Sequence, residues 1–164
     1  DSIVDLTVVG LGRYIPRIER IAAATELNIV VATGVYTYND VPMFFHFTGP
    51  GTELDGPETM TDLFVRDIEE GIADTGVKAA ILKCATDEPG VTPGVERVLR
   101  AVAQAHRRTG VPISTHTHAA TRRGRRIGGR ELRRPRRAYV VVAVLVRALI
   151  ASRRTGGIPV VVLA

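Results

Sequence analysis

Short apolar runs alternate along the chain with longer stretches in which apolar residues return every three or four positions. Ile3-Val4-Asp5-Leu6-Thr7-Val8-Val9 alternates and is rich in β-branched residues, the pattern of a strand. After the turn Gly10-Leu11-Gly12, Pro16 suits the first turn of a helix, and Ile15, Ile18, Ile21, Ala22 and Leu27 recur at helical spacing through Glu26. Ile29-Val30-Val31-Ala32-Thr33-Gly34 then predicts a second, buried strand. From Glu58 to Asp74, Met60, Leu63, Phe64, Ile68 and Ile72 form one stripe, with Asp62, Asp67, Glu69 and Glu70 largely outside it, predicting a helix with a dry and a wet face. Val77-Lys78-Ala79-Ala80-Ile81-Leu82-Lys83, bounded by Thr75-Gly76 and by Asp87-Glu88-Pro89-Gly90, predicts a third strand with Lys83 at its carboxyl end. Thr92-Pro93 offers an N-cap and a first-turn proline, and Val95, Val98, Leu99, Val102 and Ala105 carry a helix to Arg107-Arg108, with Gly110 placed to stop it. Val111-Pro112-Ile113-Ser114-Thr115 is the fourth strand, followed by His116-Thr117-His118.

Strand and helix therefore alternate at the spacing of right-handed βαβ units, which implies a parallel sheet. Gly34-Val35-Tyr36, Lys83-Cys84 and His116-Thr117-His118 then stand at the carboxyl ends of successive strands, the rim where ligands and chemistry collect in parallel α/β folds. The long connection 35–57 holds Tyr36, Tyr38, Phe44, Phe45, His46 and Phe47, rings that either close over an apolar ligand or pack the loop onto the domain. Gly10-Leu11-Gly12 follows a strand, but it lacks a third glycine and is followed by Arg13, a poor dinucleotide fingerprint.

A chain of 164 residues, 45% hydrophobic, supports one domain with a core. It is short of the roughly 250 residues of a complete (β/α)₈ barrel. The net charge of +5 is not evenly spread. Residues 1–121 carry 10 Lys and Arg against 16 Asp and Glu, whereas residues 122–164 carry 12 against 1, so two compositions meet near Thr121. The single cysteine, Cys84, excludes an internal disulfide framework and predicts a cytoplasmic location, in keeping with an amino terminus that shows no signal peptide.

Two residues apart on a strand, His116 and His118 would share a side and could share a metal; if the strand stops at Thr115, they are a polar strand end. His106 reads as a surface or capping histidine, and His46 has no partner that spacing identifies. Lys83 at a strand end either snorkels to solvent or, if burial lowers its pKa, presents a neutral amine. That amine could act as a nucleophile, or take up carbon dioxide to become an anionic oxygen ligand.

Five blocks carry a family resemblance: Ile3-Val4-Asp5, Ala32-Thr33-Gly34-Val35-Tyr36, Asp67-Ile68-Glu69-Glu70-Gly71-Ile72-Ala73-Asp74-Thr75-Gly76, Ala80-Ile81-Leu82-Lys83, and Thr109-Gly110-Val111-Pro112-Ile113-Ser114-Thr115-His116-Thr117. Over residues 1–121 the chain resembles the phosphotriesterase family of the amidohydrolase superfamily, and Tyr36-Thr37-Tyr38-Asn39-Asp40-Val41-Pro42 resembles its lactonase-like branch. The resemblance implies a (β/α)₈ barrel, here a partial one of about four parallel βα units, with a binuclear divalent metal centre, commonly zinc. Lys83 matches the carboxylated lysine that bridges the metals, His116 a metal-binding histidine, and Tyr36 an active-site tyrosine; His118 matches no family ligand. The implied reaction is attack of a metal-bridging hydroxide on a small-molecule lactone or organophosphate ester.

The family pattern also includes a first-strand His-x-His pair, a later strand-end histidine and a final-strand aspartate. None is found before Asp1 or in residues 122–164, which contain no histidine and no aspartate. The expectation is therefore a fragment whose site is incomplete and whose activity is impaired or lost, with uncovered strand edges that favour self-association. Arg122-Arg123-Gly124-Arg125-Arg126 and Arg133-Arg134-Pro135-Arg136-Arg137 open a tail, 122–164, of the composition a frameshift in GC-rich coding sequence would give. Its rival reading is a nucleic-acid-binding segment over residues 122–137. The run from Ala138 to Ala151 is too short for a membrane span and contains Arg147.

Overall fold

The computed structural model describes residues 1–118. The readings for the tail, including the arginine clusters and the run from Ala138 to Ala151, lie outside the described residues. In chain order the elements are β1 (Ser2–Asp5), α1 (Ile15–Ala23), β2 (Asn28–Gly34), α2 (Met43–Phe47), α3 (Thr59–Glu69), β3 (Ile81–Thr86), α4 (Pro93–Thr109) and β4 (Ile113–Thr117). The four strands lie in the order β1-β2-β3-β4, all parallel, and the sheet curls as a half-barrel. Each crossover is helical, which is what parallel neighbours require.

Strand parity divides the core. Ile29, Val31, Leu82 and Cys84 face the helices and pack with Ile15, Ile18, Met60, Phe64, Ile68, Val98 and Val102. Val30, Ala32 and Ile81 face the other way, toward the inside of the half-barrel, and pack with Val8 and Ala80; Val4, Leu6 and Tyr36 lie against them. All six residues of β3 are buried, so this strand is covered on both faces.

Several elements differ from their predicted bounds. β1 stops at Asp5 because the Asp5 carboxylate accepts the Thr7 N–H at 2.8 Å and turns the backbone out of the ladder. Val8 is nevertheless buried, and Val9 forms an isolated bridge to Val35. Helix α1 ends at Ala23, leaving Ile21 half exposed beside the buried Ile15, Ile18 and Ala22. The loop after β2 contains the short helix α2, and its rings divide: Phe45 is buried, whereas Tyr38, Phe44 and Phe47 are exposed. On α3, Asp67 is not on the wet face but fully buried, where it pairs with Arg13 from the β1–α1 connection.

The most consequential shift is in β3. The strand begins at Ile81, not Val77, and runs to Thr86, so Lys83 is its third residue and not its end. Val77, Ala79 and Ala80 are buried in the approach to the strand, and that burial is the source of the apolar run in the sequence. β4 likewise runs to Thr117, which puts His116 inside the strand and His118 just beyond it. Helix α4 has its expected ends. Thr92 Oγ1 accepts the Val95 N–H at 3.2 Å, Pro93 opens the first turn, and Gly110, at φ 73°, closes the last with its N–H on the His106 carbonyl. His106 Nδ1 lies 2.8 Å from the Val111 carbonyl oxygen, so this exposed ring does have a capping role.

Candidate metal centre

Lys83 has the parity of Ile81 and therefore points to the inside of the half-barrel. Register aligns Gly34 of β2, Lys83 of β3 and Ser114 of β4 in one row. Gly34 has φ 139°, and a Cβ there would fall 1.9 Å from the Lys83 carbonyl oxygen, so only glycine permits this approach of β2 to β3. Lys83 itself is buried, and burial lowers its pKa below the usual lysine value of 10.5, an effect partly opposed by the charge on the neighbouring Cys84. Burial also pushes the Cys84 thiol up to about 12, but its side chain has the opposite parity and faces the helices.

The next inward-facing row pairs Ala85 with His116. Lys83 and His116 thus lie on adjacent strands, same face, two residues apart along the strand. Strand spacings of about 4.8 Å and 3.3 Å per residue put their Cα atoms roughly 8 Å apart, within joint reach of a long lysine and an imidazole. Beyond this row, Tyr36 stands two residues after β2 and Asp87 directly after β3. The Tyr36 hydroxyl donates to Asp87 Oδ2 at 3.3 Å, His116 Nε2 lies 3.9 Å from the same oxygen, and the Tyr36 and His116 rings are 5.5 Å apart. Burial, then the Asp87 charge and hydrogen bond, raise the Tyr36 pKa. The Glu88 N–H holds the Asp87 carboxyl below the usual range; burial opposes this, and Tyr36, His116 and His118 each add a lesser lowering effect.

The predicted residues Tyr36, Lys83 and His116 therefore share the inner face at the carboxyl-end side of the sheet. Asp87 was not among them: it reads as the first residue of a turn, although an acid directly after a strand on the lysine's rim was a visible signal. His118 lies past β4 and donates its N–H to the Thr86 carbonyl at 3.1 Å. His46 lies 3.6 Å from Asp40 in the exposed loop.

A family model described as the phosphotriesterase family matches residues 1–128. The chain belongs to the phosphotriesterase family. The "Phosphotriesterase homology protein" of Mycobacterium tuberculosis strain H37Rv is 83% identical over 124 residues, which are 76% of this chain and 38% of that protein. The "Aryldialkylphosphatase" of Saccharolobus solfataricus is 46% identical over 123 residues, 75% of this chain and 37% of that one. A solved structure, the phosphotriesterase from Mycobacterium tuberculosis, superimposes with a TM-score of 0.75 at 81% identity, over 77% of this chain and 39% of that one. The chain thus spans less than two-fifths of the relatives it matches, and the half-barrel corresponds to part of a (β/α)₈ barrel.

The phosphotriesterase family is one of binuclear metal enzymes. A buried lysine with a lowered pKa and an imidazole on the next strand are groups able to contribute donors to such a centre. Among the described residues no three His, Cys, Asp or Glu side chains converge to hold a metal ion by themselves. Lys83 and His116 fit as a two-donor share of a site, not as a whole one. Among the described residues, too, no helix is long and apolar enough to cross a membrane.

Proposed function

We propose that this chain carries the lysine–histidine part of a metal-dependent hydrolase centre acting on small-molecule esters, lactones or phosphotriesters, in the manner its family implies. The supporting observation is Lys83: a desolvated amine on the inner face of the sheet, one strand from His116. Burial that disfavours the ammonium form leaves a nitrogen lone pair available to carbon dioxide. The N–C bond forms as one carbon–oxygen π bond opens and a proton leaves to solvent, giving an anionic carboxylate on Nζ. That oxygen pair and the His116 imidazole would hold divalent metal, zinc by resemblance. The metal, when bound, polarises the ester and lowers the pKa of water. Tyr36, whose phenol stays protonated over the neutral range, presents a hydroxyl at the rim to orient the substrate's reacting group. Cytoplasmic residence accords with the free, buried Cys84.

The test is metal content together with lactone and paraoxon turnover, in bicarbonate, for the 164-residue chain and for Lys83→Ala. The proposal expects metal uptake that Lys83→Ala abolishes and a carbamate signal from ¹³C-bicarbonate that disappears with it. Equal metal uptake in the variant sinks it. Metal uptake without turnover identifies the impaired form. Sedimentation tests the accompanying proposal that uncovered strand edges make the chain self-associate; a monomer at all concentrations refutes that part.

A further inference from the structure

We propose that Asp87 is the positioning residue of this centre, fixing the ring of His116 so that Nε2 carries the proton and Nδ1 is left as the metal donor. The inference rests on the reading of His116 as a ligand. Its own basis is how Asp87 is held. One carboxylate oxygen, Oδ1, accepts the Glu88 N–H at 2.8 Å, and the Asp87 carbonyl accepts the Gly90 N–H at 2.8 Å, so the turn fixes both backbone and side chain. The other oxygen, Oδ2, is thereby presented to two groups from the neighbouring strands: the Tyr36 hydroxyl at 3.3 Å and His116 Nε2 at 3.9 Å. Tyr36 also lies against the His116 ring, 5.5 Å between centroids and tilted by 51°. Ring and phenol are therefore oriented around one carboxylate oxygen.

A neutral imidazole has one N–H and one lone pair, and the partner of the N–H decides which nitrogen is free. Oδ2 lies 3.9 Å from Nε2, beyond hydrogen-bond distance, so its negative charge, and not a formed bond, favours the proton on Nε2 and the lone pair on Nδ1. A carboxylate behind a ligating histidine fixes the tautomer and raises ligand basicity, and its loss typically weakens metal affinity by about 10–100-fold. Tyr36 acts on the same oxygen, so the phenol and the ligand are positioned together.

Histidine ¹⁵N spectra of the metal-free 164-residue chain, with the His116 ring assigned through His116→Gln, read the tautomer directly. The expected result is an Nε2–H ring in the neutral form of His116. Asp87→Asn should convert it to a mixture, and Asp87→Glu should restore the single form at least in part. An Nδ1–H ring in the unaltered chain, or a tautomer indifferent to Asp87→Asn, overturns the inference. Zinc titration of the same proteins supplies the second arm, with a 10–100-fold weaker affinity expected for Asp87→Asn. If the tautomer follows Asp87 but zinc does not bind, the metal reading fails and the positioning stands. If zinc binds with equal affinity to Asp87→Asn, the positioning fails and the metal reading stands.

Discussion

The Arg13 guanidinium reaches Asp67 Oδ2 at 3.0 Å, with 11% of the Arg13 side chain and 1% of the Asp67 side chain exposed. The same oxygen accepts the Thr33 hydroxyl at 2.6 Å, and Arg13 also donates to the Ala32 carbonyl at 3.1 Å. Asp67 Oδ1 has no hydrogen-bond partner among the described residues. Arg13→Met keeps much of the side chain's apolar stem while removing the positive charge. It leaves a buried carboxylate with one hydroxyl for company, and stranding one member of a buried pair costs about 3–5 kcal/mol. Against a whole-domain stability of about 5–15 kcal/mol that is a large fraction. With a urea dependence of about 2 kcal/mol per molar, the unfolding midpoint should fall by about 1.5–2.5 M. The contrast is Arg13→Met combined with Asp67→Leu and Thr33→Val, which replaces the network by apolar groups. It should be more stable than Arg13→Met alone, because an apolar substitute for a buried pair is often near neutral. Urea titration by circular dichroism measures both. A loss under about 1 kcal/mol for Arg13→Met, the range of a surface pair, would falsify the assignment of this network to the interior.

Lys83→Met should stabilise the fold at pH 7, since a buried ammonium is removed. The Lys83 pKa in the fold lies below 10.5, so between the folded and unfolded values the unfolded chain binds more protons and stability rises with pH. The stabilisation by Lys83→Met should therefore shrink toward pH 10.5, and urea midpoints in carbonate-free buffer that show a constant gain would contradict it. Cys84 should be nearly inert to iodoacetamide at pH 8: a thiol pushed from 9.0 to about 12 has its thiolate fraction cut from about 10% to about 0.01%. Modification of the native chain at the rate of a free thiol would disprove that burial. Arg97 pairs with Glu58, Nε to Oε2 at 2.7 Å, and donates to the carbonyls of Phe45 and Thr48, so it ties the aromatic loop to α3 and α4. Arg97→Met should raise proteolysis within 43–57 several-fold while the amides of β3 keep their hydrogen-exchange protection; unchanged cleavage would mean that the loop is held by Phe45 alone.

Periodicity was sufficient for the alternation of strands and helices, because β2 and β3 carry apolar residues on both faces and the longer helices on one. It was insufficient for bounds. The run Val77 to Lys83 is apolar because its first half is buried in a connection, and burial does not distinguish a paired backbone from a covered loop. Asp67 shows the complementary failure: charge placed it on the wet side of α3, but its partner is 54 positions away in sequence and no local pattern couples the two. Lys83 and His116 were legible as candidates through their positions near strand ends and through family blocks, and the fold brings them to adjacent strands on one face. Asp87 was hidden because its turn-forming role, with Glu88, Pro89 and Gly90, explained it locally before its side chain was considered.

Placing Lys83 inside β3 changes the chemistry it supports. At a strand end its amine would extend into water and keep the ordinary pKa of a snorkelling lysine. Two residues before the row shared by Ala85 and His116, it is buried, and the Gly34 backbone passes close enough to exclude any side chain between β2 and β3. The site is consequently built in tiers along the strand direction: the Gly34–Lys83–Ser114 row lowest, His116 with Ala85 next, then Tyr36 and Asp87 above. Lys83, 8% exposed, lies in the driest tier, whereas the His116 and Asp87 side chains, 45% and 26% exposed, lie nearer to solvent. This ordering follows from register and parity alone, so a change that moves β3 by one residue would invert it, turning Lys83 toward the helices and Cys84 toward the site.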